Sequence, residues 1–594
     1  MTTSGACGRF RWTVPAAFLP LLGACGTWEQ NHANMTGNEE RLSTGASEPS
    51  WRRNEPVPVG GRSNPYGLTD SEHAAAVRNG RLAALDYPVH SAGLQIPFET
   101  LNRTLAPGPK HPALAAVQWG VKQRLGFSTL EGLEDWLGLS SYPQDEGDGA
   151  FFVPLPRGPS GRGAMGRTVF DTPVAPGRLA LTYSCAACHA DTFFGRQVLG
   201  MSNRFPRANE FFVLGAETMS ALPQFALHPA FGVVQQDAPV FRQLKTNVNS
   251  IEGVTPLALG LDTSLALVGL SLSRRVLGGH AEFDPQLQKR PRENLLRHAR
   301  ADSKPAVWWN ARYKNRWLSD GSVVSGNPLF TNILWNEIGR GADLQSLADW
   351  FENNTTTVRD LTTAVFDAQA PTWFEIFGDR GLDLDAARRG QIVYERMCAS
   401  CHGSFDKVWE DAPWIGIDLN ALTAADKARA ARTKVFRPLP LTPVVDVGTD
   451  PARYLGMVGL LELNELDLSK TFGTVVEAQR GYVPPPLVGI FARYPYLHNN
   501  AVPTLCDLLT PAAQRPRQYV ARRAEDPNQD FDWDCVGYPS TAESSPAAPD
   551  EFVYRAVEPG LQNTGHDEGI FLRNGQPLWQ PSERLDLIEF LKTL

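Results

Sequence analysis

Cys185-Ala186-Ala187-Cys188-His189 and Cys398-Ala399-Ser400-Cys401-His402 repeat one chemical unit: two thiols three residues apart, followed at once by an imidazole. The spacing lets each thiol add to a vinyl group at a porphyrin edge as a thioether, while the histidine takes the iron. A zinc half-site or a redox dithiol explains one such run, but neither calls for a histidine in the same place twice. Two covalently bound haem c groups, with His189 and His402 as proximal iron ligands, are therefore the expected cofactors.

The chemistry of each iron depends on what stands opposite the proximal histidine. Two strong ligands make an electron carrier, and an open face makes an oxygen or peroxide site. His566 lies in Asn563-Thr564-Gly565-His566-Asp567-Glu568-Gly569, a glycine-flanked loop able to bring an imidazole over the second haem. His566 is the expected distal ligand there, ahead of Met457, which also reads as core filler, and of His498. His32, His73 and His111 stand in polar or proline-flanked segments and read as solvated, and His228, His280 and His298 lie between the runs. No histidine falls between His189 and His228. The first haem is thus expected to be open, or closed by a distant group, and to be the centre of reaction.

Elements must hold these turns. Leu382 to Arg396 carries a helical pattern, with Gly390 and Tyr394 one turn apart just before the second run. At the far end Ser582 is placed to cap a helix from Glu583 to Leu594. Leu585, Ile588, Leu591 and Leu594 would form its apolar face, widened by Leu587 and Phe590. Cytochrome c folds cross an N-terminal and a C-terminal helix at a small contact, which Gly390 would permit. Arg178 to Tyr183 reads as a short helix leading into the first run. With 46 prolines, 52 glycines and 15 tryptophans, the fold class expected is mainly α with long loops, two cytochrome c-like haem domains, loop-rich insertions and little β.

The N-terminus sets the compartment. Arg9 and Arg11 precede an apolar stretch from Trp12 to Leu22, then Leu22-Gly23-Ala24-Cys25. This is an export signal ending in a lipoprotein-like box, with Cys25 the expected lipidation site and plain cleavage without a lipid the alternative. The expected segments are a signal peptide at 1–25, a flexible Gly/Ser/Asn/Pro-rich tether at 26–66, a first haem domain with the inter-haem segment at 67–380, and a second haem domain at 381–594. No later stretch is apolar for long enough to span a membrane. The expected location is thus periplasmic or cell-surface, with membrane contact only through the lipid. Of eight cysteines, four belong to the runs, Cys7 to the signal and Cys25 to the box. Cys506 and Cys535 remain, as a disulfide or as two free thiols. A net charge of −8 gives no nucleic-acid surface.

Beyond these readings, Tyr494-Pro495-Tyr496-Leu497-His498-Asn499-Asn500-Ala501-Val502-Pro503 resembles a segment of the bacterial di-haem cytochrome c peroxidase and MauG superfamily. Lys304-Pro305-Ala306-Val307-Trp308-Trp309-Asn310 with Asp320-Gly321-Ser322, and Asn203-Arg204-Phe205-Pro206-Arg207-Ala208-Asn209-Glu210, look like its larger RoxA/RoxB-type rubber oxygenase branch. The likeness extends over most of residues 67–594. It implies a haem-pocket role for His498, whose histidine can meet a propionate in that superfamily. It also implies an electron-transfer bridge and distal wall at Trp308 or Trp309, with core packing as the alternative. Ser322 and Val323 would stand near the oxygen-facing side of the first pocket, where that branch favours apolar or aromatic side chains. One calcium ion between the haems is a feature of some relatives. The haem runs lie farther apart (398 minus 185, or 213 residues) than in compact di-haem peroxidases. The expected function is an oxygen-dependent dioxygenase acting on an unsaturated apolar polymer such as poly(cis-1,4-isoprene). Two alternatives stand beside it. One is a peroxidase or MauG-like oxidase using hydrogen peroxide, with electrons from a small donor protein and Glu210 as a possible acid–base group. The other is a non-catalytic electron carrier.

Overall fold

The computed structural model describes residues 49–89, 93–105, 126–156, 163–221, 235–539 and 551–594, with a few positions between 106 and 125. Cys25, His32, His111 and His228 lie outside the described residues. The described residues are about 41% helix and 13% strand, in small sheets only. One continuous apolar core draws side chains from both sides of residue 380, including Phe193, Trp309, Trp373, Phe405, Phe491 and Phe590. No helix of the described residues is long and apolar enough to cross a membrane.

The helix Leu384–Met397 starts at Asp383, whose side chain accepts from the Ala386 amide. It crosses the closing helix Pro581–Lys592 at Gly390, where an added Cβ would lie 1.9 Å from the Asp586 carbonyl oxygen. Only glycine permits that approach of two main chains. Arg389–Asp586 and Arg396–Glu583 ion pairs flank the crossing. Two details differ from the sequence reading. The closing helix begins two residues earlier than Ser582 would set it: Gln580 is the N-cap, in a capping box with Glu583. Leu585 is 53% exposed. The crossing at Asp586 turns Leu587, Ile588, Phe590, Leu591 and Leu594 inward and leaves Leu585 outside.

A second crossing of the same kind occurs in the first half. The helix Asp70–Leu85, capped by Thr69 and Glu72, packs on the helix Thr355–Asp367. A Cβ at Gly80 would lie 2.0 Å from the Asp360 carbonyl oxygen. The chain just before it is not free: Trp51 is buried edge-on against Trp317 and Phe366, and Val57 is buried as well. The tether expected to run to residue 66 thus gives way to packed chain by Trp51, because an indole and a valine find apolar partners there.

Leu179–Tyr183, expected as a helix, is a strand. It is the middle of an antiparallel sheet between Ile96–Pro97 and Arg167–Asp171, with Leu181 opposite Val169 and Ile96. Partner strands on both sides decide the conformation of so short an apolar run. The strand delivers the chain into the single helical turn Ala186–His189, and the hairpin Ala190–Phe193/Arg196–Leu199 carries it away.

Candidate haem sites

His189 donates from Nδ1 to the Ala306 carbonyl at 2.8 Å. That bond fixes the tautomer and leaves Nε2 as the free lone pair. Burial holds the imidazole below its usual range, so it stays neutral and able to ligate. The turn is clamped from behind. Asn203 donates from Nδ2 to the Ala187 carbonyl (2.8 Å) and the Gly138 carbonyl (2.9 Å), and its amide donates to Cys188 O at 3.0 Å. Arg204 pairs with Asp191 at 2.9 Å and also donates to the main-chain oxygens of Ala492 and Tyr494. Cys185, Cys188 and His189 are enclosed by protein yet keep some accessible surface. Burial pushes both thiols up, the opposite of what a redox dithiol needs.

The second turn is built alike. His402 donates from Nδ1 to the Pro485 carbonyl at 2.7 Å, and burial lowers it to about 4. Its ring faces His566, with centroids 6.4 Å apart and planes at 56°. A metal held about 2 Å from one nitrogen of each imidazole separates the centroids by about 6 Å, so the gap fits a shared iron. Gly565 (φ +70°) lets the loop pass against Val447 and Gly448, where a Cβ would lie 2.3 Å from the Gly448 carbonyl carbon. His566 itself holds φ +56°, and its amide donates to the Val447 carbonyl. A non-glycine residue held in that conformation is a feature of functional loops. Its Nδ1 is buried without a partner, and burial followed by the neighbouring His402 lowers the ring to about 3. The donor set therefore fits a haem iron: two thiols, a proximal imidazole with its tautomer fixed, and a second neutral imidazole across the gap.

The Trp308 ring lies 5.9 Å from the His189 ring. Trp309 is 1% exposed and donates from Nε1 to the Val488 carbonyl at 2.9 Å. Asn310, which the sequence reading did not single out, donates to the Pro486 carbonyl at 3.0 Å. His498 stacks on Tyr482 at 4.0 Å, and burial with Arg453 and Lys304 nearby lowers it to about 3. Its carbonyl accepts from the Lys304 amide at 2.8 Å. Ser322 and Val323 are buried, but their main-chain bonds run to Glu477 and to the Val475–Val476 strand, not to the His189 turn. Met457 is fully buried in the core. Glu210 faces Arg207 at 4.0 Å on a partly exposed surface. Cys506 and Cys535 are joined as a disulfide, S–S 2.03 Å. Among the described residues no cluster of three or more His, Cys, Asp and Glu side chains suits a metal ion such as calcium.

Residues 481–520 match a family model described as RoxA-like, cytochrome c-like. This segment is cytochrome c-like and implies covalently bound haem c; it contains Pro485, the acceptor of His402, together with Arg493 and His498. Two uncharacterised proteins of Sinorhizobium fredii (strain NBRC 101917 / NGR234) are similar. Protein y4iJ is 26% identical over 373 residues, 53% of this chain and 58% of that protein. Protein y4iM is 28% identical over 233 residues, 36% of this chain and 49% of that protein. The chain thus spans about half the length of the curated relatives it matches.

Proposed function

We propose that this protein is an exported di-haem c-type oxidoreductase, lipid-anchored at Cys25, that uses dioxygen to cleave an unsaturated apolar substrate such as poly(cis-1,4-isoprene). The observation that carries the reading is the inequality of the two sites. His402 faces a second imidazole, His566, across 6.4 Å, whereas His189 packs beside the Trp308 indole. When bound, haem supplies oxygen chemistry at the His189 turn and electron storage between His402 and His566.

The chain's own residues do the rest. The Ala306 and Pro485 carbonyls fix the two proximal tautomers. Asn203 and Arg204 hold the first turn against the body. Trp308 packs its indole beside the His189 ring and helps hold it in place.

The test is oxygen uptake by purified holoprotein with latex, with and without a reductant, beside peroxide turnover. Latex-dependent uptake without reductant supports the reading. Fast peroxide turnover that ignores latex replaces it with a peroxidase, and inertness toward both oxidants leaves an electron carrier.

A further inference from the structure

Three cations lie between the two attachment turns with no carboxylate partner of their own among the described residues. Lys304 Nζ donates to the main-chain oxygens of Arg493 (3.0 Å) and Pro495 (2.5 Å). Arg493 donates to the Pro486 carbonyl at 2.7 Å. Lys314 lines a cleft with Cys401 and His402. All three are enclosed by protein yet keep accessible surface.

The carboxylates nearby are engaged elsewhere: Asp320 with Arg453 at 2.9 Å, and Asp191 with Arg204 at 2.9 Å. Burial, with the neighbouring Arg493, pulls Lys314 down to about 8 and Lys304 well below its usual range, and burial lowers Arg493 to about 10. Cations left unbalanced in such an interior are costly unless an anion joins them. The cluster is also close in the chain or in space to both sites. Lys304 stands two residues before Ala306, the acceptor of His189, while Lys314 shares its cleft with His402.

We propose that Lys304, Arg493 and Lys314 form a single carboxylate-binding cluster that seats the propionates of both haem groups and makes a calcium ion between them unnecessary. The proposal rests on the di-haem reading. It makes the two reduction equilibria depend on shared charges, because removing a nearby positive charge favours the oxidised, more positive iron.

The experiment is a spectroelectrochemical titration of full-length holoprotein, with haem counted as pyridine haemochrome and calcium by elemental analysis. The expected result is two haems per chain and no stoichiometric calcium. Lys314→Met should lower the reduction equilibrium of the His402 haem about tenfold, about 59 mV for a one-electron couple, with Lys314→Arg close to the parent. Lys304→Met should lower both. Parent-like potentials in Lys314→Met and Lys304→Met, or bound calcium whose removal by EGTA shifts both haems, would overturn the proposal. Fewer than two haems would overturn the di-haem reading with it. If Lys304→Met does not accumulate, Lys314→Met at the cleft wall decides.

Discussion

His189 and His402 are tied to the two ends of one connected stretch. His189 donates to Ala306 O, and five residues run from Ala306 to Asn310, which donates to Pro486 O; the preceding carbonyl, Pro485 O, accepts from His402. Movement or charge at one proximal imidazole therefore has a short covalent and hydrogen-bonded route to the other, with Trp308 and Trp309 along it.

This route makes the indoles testable as a bridge. Trp308→Phe and Trp309→Phe are expected to slow electron exchange between the haems by about tenfold while leaving both haems attached. Stopped-flow reduction followed at two wavelengths measures it. Unchanged biphasic kinetics in both variants would reduce the pair to core packing, worth its buried area alone.

The His402–His566 gap gives a spectroscopic prediction. His566→Ala should convert one of the two haems from low-spin to high-spin in electron paramagnetic resonance and visible spectra, with the other unaffected. A low-spin signal that survives the substitution would mean that another residue closes the second iron.

Close helix contact predicts large costs. Gly390→Ala and Gly80→Ala each drive a methyl group into a main-chain carbonyl, at 1.9 Å from Asp586 O and 2.0 Å from Asp360 O. Each should lose roughly 2–3 kcal/mol, or more where the helices cannot part. Thermal unfolding of the holoprotein should show a lower midpoint in both, and an unchanged midpoint would refute the crossing.

Asp302 predicts a pH dependence. Its Oδ2 accepts from the Leu257 amide at 2.9 Å, its Oδ1 is buried without a partner, and burial pushes the carboxyl up to about 6. A folded value above the unfolded one of about 4 means a contribution fully present below about pH 4 and lost as pH rises through about 6. Two pH units correspond to roughly 2–3 kcal/mol. Asp302→Asn should flatten the fall in stability between pH 4 and 7, as denaturant titration at each pH would show.

The two Cys-x-x-Cys-His turns, the Gly390 crossing and the nearness of His566 to His402 were legible because thioether-type spacing and close approach demand particular residue types. The first-half crossing was not. Gly80 sits between Asn79 and Arg81 in a helix of weak apolar periodicity, and its partner helix lies 275 residues onward (355 minus 80). Leu179–Tyr183 misled because five residues, four of them apolar, carry no period long enough to separate helix from strand. Lys304 opens a run whose aromatics drew the reading, Lys314 lies between that run and Asp320, and Arg493 stands just before Tyr494; a basic residue in or beside a proline- and aromatic-rich run was the available signal.

The two glycine crossings also order events in time. In each half the helix that completes the crossing follows the attachment turn in the chain: Thr355–Asp367 comes after His189, and Pro581–Lys592 after His402. A chain made from its N-terminus exposes each pair of thiols before the helix that closes its half exists. Under the exported di-haem reading proposed above, each turn would have an interval in which an attachment enzyme can reach it, its length set by the residues still to follow across the membrane.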